Sequence, residues 1–93
     1  MISTIGDLRW RTRVTVEGTV EVIRLQTSAH ITALLEIIIT DGTGSVCALF
    51  TGYRSIGGMA LGTRVRLHGL IIEEQGRLAF FNPEYTLLPA AGH

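Results

Sequence analysis

The stretch Thr40-Asp41-Gly42-Thr43-Gly44-Ser45 decides the fold. It stands between two apolar, β-branched runs, Ile31 to Ile39 upstream and Val46 to Phe50 downstream. An Asp-Gly pair in that setting is the strongest short-range hairpin signal, because glycine takes φ > 0 without steric cost. Asp41 can also accept hydrogen bonds from the turn backbone. Ahead of the hairpin, Thr12 to Arg24 alternates: Val14, Val16, Val20 and Val22 share one face, and Arg13, Thr15, Glu17, Thr19 and Glu21 share the other. Gly18 interrupts this run, where a glycine marks a bulge or a sharp bend.

Leu25 to His30 reads as a polar loop and Ile31 to Thr40 as the second strand, with Ile31, Leu35, Ile37 and Ile39 inward. The third strand runs from Ser45 to about Thr51, and the Gly-rich segment Tyr53 to Leu61 is a loop or one loose turn. Arg64 to Glu73 alternates again, with Val65, Leu67 and Ile71 opposed to Arg64, Arg66 and His68. A tight turn over Glu74-Gln75-Gly76-Arg77 then leads to Leu78 to Phe81, and Asn82-Pro83-Glu84-Tyr85 opens a final extended segment. A long bent strand, a hairpin, a break and two more strands is the order of an all-β, five-stranded Greek-key barrel of the OB type. Parity puts Val14, Val16, Val20, Leu35, Ile37, Val46, Val65 and Leu67 inside it. In Met1 to Arg11, Ile5, Leu8 and Trp10 are expected to plug one end of the barrel.

Ninety-three residues make one domain, with a barrel over about 12–88, a lead-in over 1–11 and a tail, 90–93, expected to fray. The lone Cys47 excludes an internal disulfide and fits a reducing cytoplasm; its place in an apolar strand makes it a small core residue. No basic-plus-apolar leader is present, and the run Ile31 to Ile39 is far too short to span a bilayer, so no membrane partner is expected. Eight basic residues balance eight acidic ones, and all eight are arginine. Arginine binds phosphate bidentately and stacks on bases, but a neutral chain lacks the charge of a strong polyanion binder.

Four blocks carry a resemblance to a known family: Val16-Glu17-Gly18-Thr19-Val20, Ile39 to Gly44, Leu61-Gly62-Thr63-Arg64-Val65-Arg66-Leu67-His68-Gly69, and Asn82-Pro83-Glu84-Tyr85. Together, over Thr12 to Leu88, the chain resembles the OB-fold nucleic-acid-binding domain, and within it the wedge domain of RecG-type DNA helicases. The resemblance implies binding of single-stranded or branched nucleic acid, with aromatics after the third strand stacking on bases at a fork. Here Phe50 and Tyr53 match those positions, and Leu49 stands where the first aromatic would be. The motor domains of such helicases are absent, and no Gly-x-x-x-x-Gly-Lys sequence occurs.

In an OB barrel the ligand lies across strands two and three, between the first-to-second and fourth-to-fifth strand loops. Arg24 and Arg77 edge those loops, and Tyr53, beside Arg54, is the foremost stacking residue. Arg13, Arg64 and Arg66 share outward faces of two strands that pair in this topology; they form either a basic stripe or ordinary pairs with Glu17. Trp10, among Arg9, Arg11 and Arg13, is either a lid on the core or part of a stacking patch. Tyr85 is expected to pack back near Pro83. No catalytic constellation, metal-ligand spacing or cofactor motif is present, because His30, His68 and Cys47 lack spaced partners. A rival reading rests on Leu34, Ile38, Leu70 and Ile72, apolar residues at outward parity. Leu34 and Ile38 would then form a partner or homodimer interface.

Overall fold

In the computed structural model, which describes residues 1–27 and 33–89, a 3-10 turn (Ile5–Asp7) leads into six strands. These are β1 (Arg13–Gln26), β2 (Leu34–Thr40), β3 (Ser45–Thr51), β4 (Arg64–Glu74), β5 (Arg77–Phe81) and β6 (Glu84–Leu87). β1 serves both halves of the sheet. Its first half pairs antiparallel with β4 and its second with β2, and Thr19 belongs to both ladders, opposite Arg64 and Thr40. β2 pairs with β3 across the Asp41-Gly42 turn, β3 runs parallel to β5, and β5 returns to β4. The sheet therefore closes. β6 continues along the same strand, β4, after the break at Asn82-Pro83, so β5 and β6 together act as the fifth barrel strand. The architecture is the five-stranded Greek-key OB barrel that the strand order predicts.

The core follows the parity expected of it. Val16, Val20, Leu35, Ile37, Val46, Val65 and Leu67 are buried, and Val14 packs against them partly covered. Phe50, Phe80, Ile39 and Ile71 fill the rest of the interior, while Ile5 and Ile56 close it from the lead-in and from the β3–β4 connection. Of the lead-in residues, Ile5 is buried and Leu8 partly so, whereas Trp10 is 54% exposed with the Arg11 guanidinium 4.4 Å above its ring. Trp10 is thus no lid on the core. It stands outside because Arg11, at φ 66, turns the chain there, and the Arg11 amide donates to the Ile71 carbonyl.

Two strand details differ from expectation. β1 extends through Leu25 and Gln26, which pair with Leu35 and Leu34, so the loop begins later than the polar composition implies. The bulge lies at Glu21, not Gly18: Val20 opposes Ile39 and Val22 opposes Ile38, one register step apart. An inserted residue reverses the parity beyond it. Ile23 therefore packs on the core in place of Val22, which faces outward opposite Ile38. The expected placements of His30, Ile31, Thr32 and the tail 90–93 lie outside the described residues.

Gly18 serves the second of its two expected roles, the sharp bend. A Cβ there would sit 2.7 Å from the Thr40 carbonyl oxygen, closer than real contacts allow. Its absence lets β1 bend and change partner from β4 to β2. The hairpin turn is tied to the lead-in as well: the Asp41 carboxylate accepts from the Ile5 amide at 2.9 Å and the Thr43 amide at 2.9 Å. Thr43 Oγ1 in turn accepts from the Gly6 amide. These bonds hold the Asp41 carboxyl below the usual carboxylate range, the Ile5 amide contributing most. Among the described residues, no helix is long and apolar enough to cross a membrane.

Gly18→Ala forces backbone apart at the bend and should destabilise the barrel by about 1–3 kcal/mol. Gly57, with open space where its Cβ would be, provides the control. Urea unfolding of both alanine variants checks this, and equal midpoints would refute the close-approach account.

Candidate functional site

The outward side chains of β2, β3 and β5 form a surface whose order follows from the strand register. Across one row, Arg24 on β1 opposes Glu36 on β2, Glu36 opposes Leu49 on β3, and Leu49 lies beside Phe81 on β5. The next row reads Val22, Ile38, Cys47, Ala79 and Ile72. Directly opposed residues share a face, so these positions make one continuous patch. Cys47, Leu49 and Ala79 are buried in it, with Leu34, Ile38 and Ile72 packed around them, as a cluster separate from the barrel core.

Glu36 stands in the middle of this apolar patch, 3% exposed. A carboxylate so placed needs partners. Arg24 Nε approaches Oε1 at 3.2 Å, Arg77 Nη2 donates to Oε2, and the Cys47 thiol donates to Oε2 at 3.3 Å. Burial alone would push the Glu36 carboxyl upward, but the bonds from Cys47 and Arg77 and the charges of both arginines outweigh it, leaving the carboxyl below its ordinary value. Burial and the neighbouring carboxylate push the Cys47 thiol up to about 12, so it stays protonated as the donor. The two arginine side chains remain 58% and 47% exposed, and each meets a different oxygen of the carboxylate. The group carries a net charge of one positive unit, from two arginines and one glutamate.

The remaining sequence-derived site residues fall in three places. Arg66 and Arg64 both reach Glu17, at 2.6 Å and 3.7 Å, so the ordinary cross-strand pairing holds there. Phe50 is 2% exposed inside the barrel, because Leu35 opposite it is an inward position; its ring faces are not open to a base. It instead supports two half-exposed tyrosines edge-on, Tyr53 with centroids 5.9 Å apart and Tyr85 at 5.8 Å. Tyr85 thus packs back on the barrel as expected while keeping part of its ring in solvent. Arg54 is exposed beside Tyr53. Leu34 and Ile38 do lie on the outer face, but within the cluster around Cys47.

Arg13 belongs to a cleft of about 330 Å³ together with His68, Leu70, Phe81 and Glu84. Phe81 is the residue that sequence reasoning missed. In the pair Phe80-Phe81 strict alternation sends one ring inward and one outward; Phe80 is fully buried and Phe81 52% exposed. The apolar outward residues also divide: Ile72 joins the Cys47 cluster, and Leu70 lines the cleft with Phe81. Among the described residues no group of three or more His, Cys, Asp or Glu is arranged to hold a metal ion.

No protein-family model matches the chain, and no curated protein matches it in sequence. Among solved structures, the fold is similar to the solution NMR structure of a replication factor A related protein from Methanobacterium thermoautotrophicum. That likeness has a TM-score of 0.68 at 21% identity and covers 100% of this chain and 96% of the other.

The Glu36 cluster has a pH signature. With the folded carboxyl held below its unfolded value of 4.5, its contribution to stability is full above that pH and is lost as pH falls through the folded value. Glu36→Gln should be less stable than wild type at neutral pH, and the two should converge as pH falls below the folded value of the Glu36 carboxyl. Thermal unfolding across that range reads the gap; a gap independent of pH would contradict the charge-based account.

Proposed function

We propose that this domain binds single-stranded or branched nucleic acid, weakly and with little sequence preference, along the outer face of β2, β3 and β5. The observation that carries the reading is Phe81: a half-exposed ring on that face, between Leu49 and Leu70, with Arg13 to one side and the Arg24–Glu36–Arg77 group to the other. Stacking on an aromatic side chain is sequence-tolerant because every base has a π-face, and flanking arginines meet phosphates. Tyr53, with Arg54 beside it, offers a second ring at the end of β3. The structural likeness to a replication factor A related protein supports this reading.

Weakness follows from charge. The chain is formally neutral, and Glu17 and Glu36 already hold Arg24, Arg64, Arg66 and Arg77. Few arginines are then left to displace counterions from a polyanion, so the salt dependence is shallow for a nucleic-acid binder. The apolar cluster around Cys47, with Leu34 and Ile38 partly exposed, favours a second reading as a homodimerisation or protein-interaction surface.

Fluorescence anisotropy with labelled single-stranded, duplex and forked oligonucleotides at two salt concentrations tests the first reading. Binding should be micromolar or weaker, should weaken with salt, and should favour single strands or forks over duplex. Phe81→Ala and Tyr53→Ala should each cost about 1–3 kcal/mol of binding. Arg66→Ala, which removes a side chain already held by Glu17, should cost less, and equally for all sequences. No binding at low salt, together with a dimer in light scattering that Ile38→Glu dissociates, would replace this reading with the second.

A further inference from the structure

Resting on the nucleic-acid reading, we infer that the cleft between β1, β4 and the β5–β6 break is a subsite for one nucleotide and that it favours guanine, through the Glu84 carboxylate. The cleft arises from the chain itself. Asn82 takes a left-handed conformation, φ 48, and Pro83 follows it, so the fifth strand breaks opposite Gly69. Asn82 turns its amide to β3, accepting from the Thr51 amide at 2.9 Å and donating to the Thr51 hydroxyl at 3.0 Å. The break is thereby fixed, and a space of about 330 Å³ is left beside it.

Three kinds of surface meet in that space. Leu70 and Phe81, 43% and 52% exposed, form an apolar wall with an aromatic face. Arg13, directly opposite Leu70 in the β1–β4 ladder, brings a guanidinium. His68 and Glu84, cross-strand partners two positions along β4, bring a ring and a carboxylate. His68 is oriented by a 2.7 Å hydrogen bond between its Nδ1 and the Thr15 hydroxyl, its other strand neighbour. Among the described residues neither Arg13 nor Glu84 makes an ion pair, unlike Arg24, Arg64, Arg66 and Arg77. A cation and an anion held apart beside an aromatic ring fit a ligand that is itself a phosphate joined to a flat heterocycle.

The sign of Glu84 selects the heterocycle. An ionised carboxylate is an acceptor with two oxygens and has no donor to offer. Guanine alone among the bases places two N–H donors side by side on its pairing edge, at N1 and N2, and so can fill both oxygens. Adenine and cytosine present one amino group beside an acceptor nitrogen, and thymine presents one N–H between two carbonyls that a carboxylate repels. With the base against Phe81 and its edge on Glu84, the phosphate falls to Arg13. The subsite lies outside the β2–β3 face and adjoins it through Phe81, the neighbour of Leu49.

Short oligothymidylates carrying one central guanine, adenine or cytosine, compared with the all-thymidine strand by anisotropy at low salt, provide the test. The guanine strand should bind about tenfold more tightly than the all-thymidine strand, the scale of one bidentate base contact moderated by solvent. Glu84→Gln, on an exposed position of β6, should bring guanine to within about twofold of the others, partly by strengthening the all-thymidine strand, since a carboxamide offers one acceptor and one donor and no longer repels the thymine carbonyls. Equal affinities for all four strands, or a guanine preference that survives Glu84→Gln, would overturn this inference while the broader nucleic-acid reading stands. Failure of every strand to bind would overturn both.

Discussion

Closure of the barrel depends on one contact, the approach of the Gly18 backbone to the Thr40 carbonyl. A Cβ there would lie 2.7 Å from that oxygen, so β1 and β2 would have to move apart to admit it. With glycine, β1 passes from its ladder with β4 to its ladder with β2 within a single residue, Thr19, and the sheet returns on itself. The other features of the molecule follow from that closure. Inward parity fills the interior with Val16, Leu67, Phe50 and Phe80, and outward parity sets Glu36, Cys47, Leu49 and Phe81 in adjoining rows on the opposite side of the same strands.

The outer face carries its own small core. Burying Cys47, Leu49 and Ala79 under Leu34, Ile38 and Ile72 leaves Glu36 in low-dielectric surroundings, and the two arginines that cover it are the cost of placing a carboxylate there. This arrangement fixes where positive charge lies and also limits it. Guanidinium groups sit at the rim of the face, with part of each exposed, but their charge is half spent within the protein. The same economy recurs where Glu17 receives Arg64 and Arg66. Stacking on Phe81 and Tyr53, not long-range attraction, must therefore supply most of any affinity for a strand.

Much of the fold was legible because the hairpin turn, the strand order and the alternation of Val16, Val65 and Leu67 all specify the same barrel. What escaped was local. The bulge at Glu21 has no glycine or proline to announce it, and it exchanges the roles of Val22 and Ile23. Phe50 matched a family position by its place after the third strand, yet its parity, the same as that of Ala48 and Val46, puts it inside. Phe81 was concealed by the reverse error, since two adjacent phenylalanines read as a single apolar run unless the alternation is followed through them. Glu36 at an outward position looks solvated in one dimension; its burial depends on side chains of β1, β3 and β5 that converge only in the closed sheet. Trp10 is governed by the left-handed turn at Arg11, a conformation that arginine does not advertise.

The most direct test of the central claim, that the outer face and not a barrel end receives the ligand, is an NMR titration of the isotope-labelled protein with a short single strand. Amide and side-chain shifts should concentrate at Leu49, Leu70, Phe81 and Tyr53, leaving Ile5, Gly6 and Thr43 at the lead-in end unmoved. Shifts confined to the lead-in and the Asp41 turn, or spread evenly without saturation, would contradict the account.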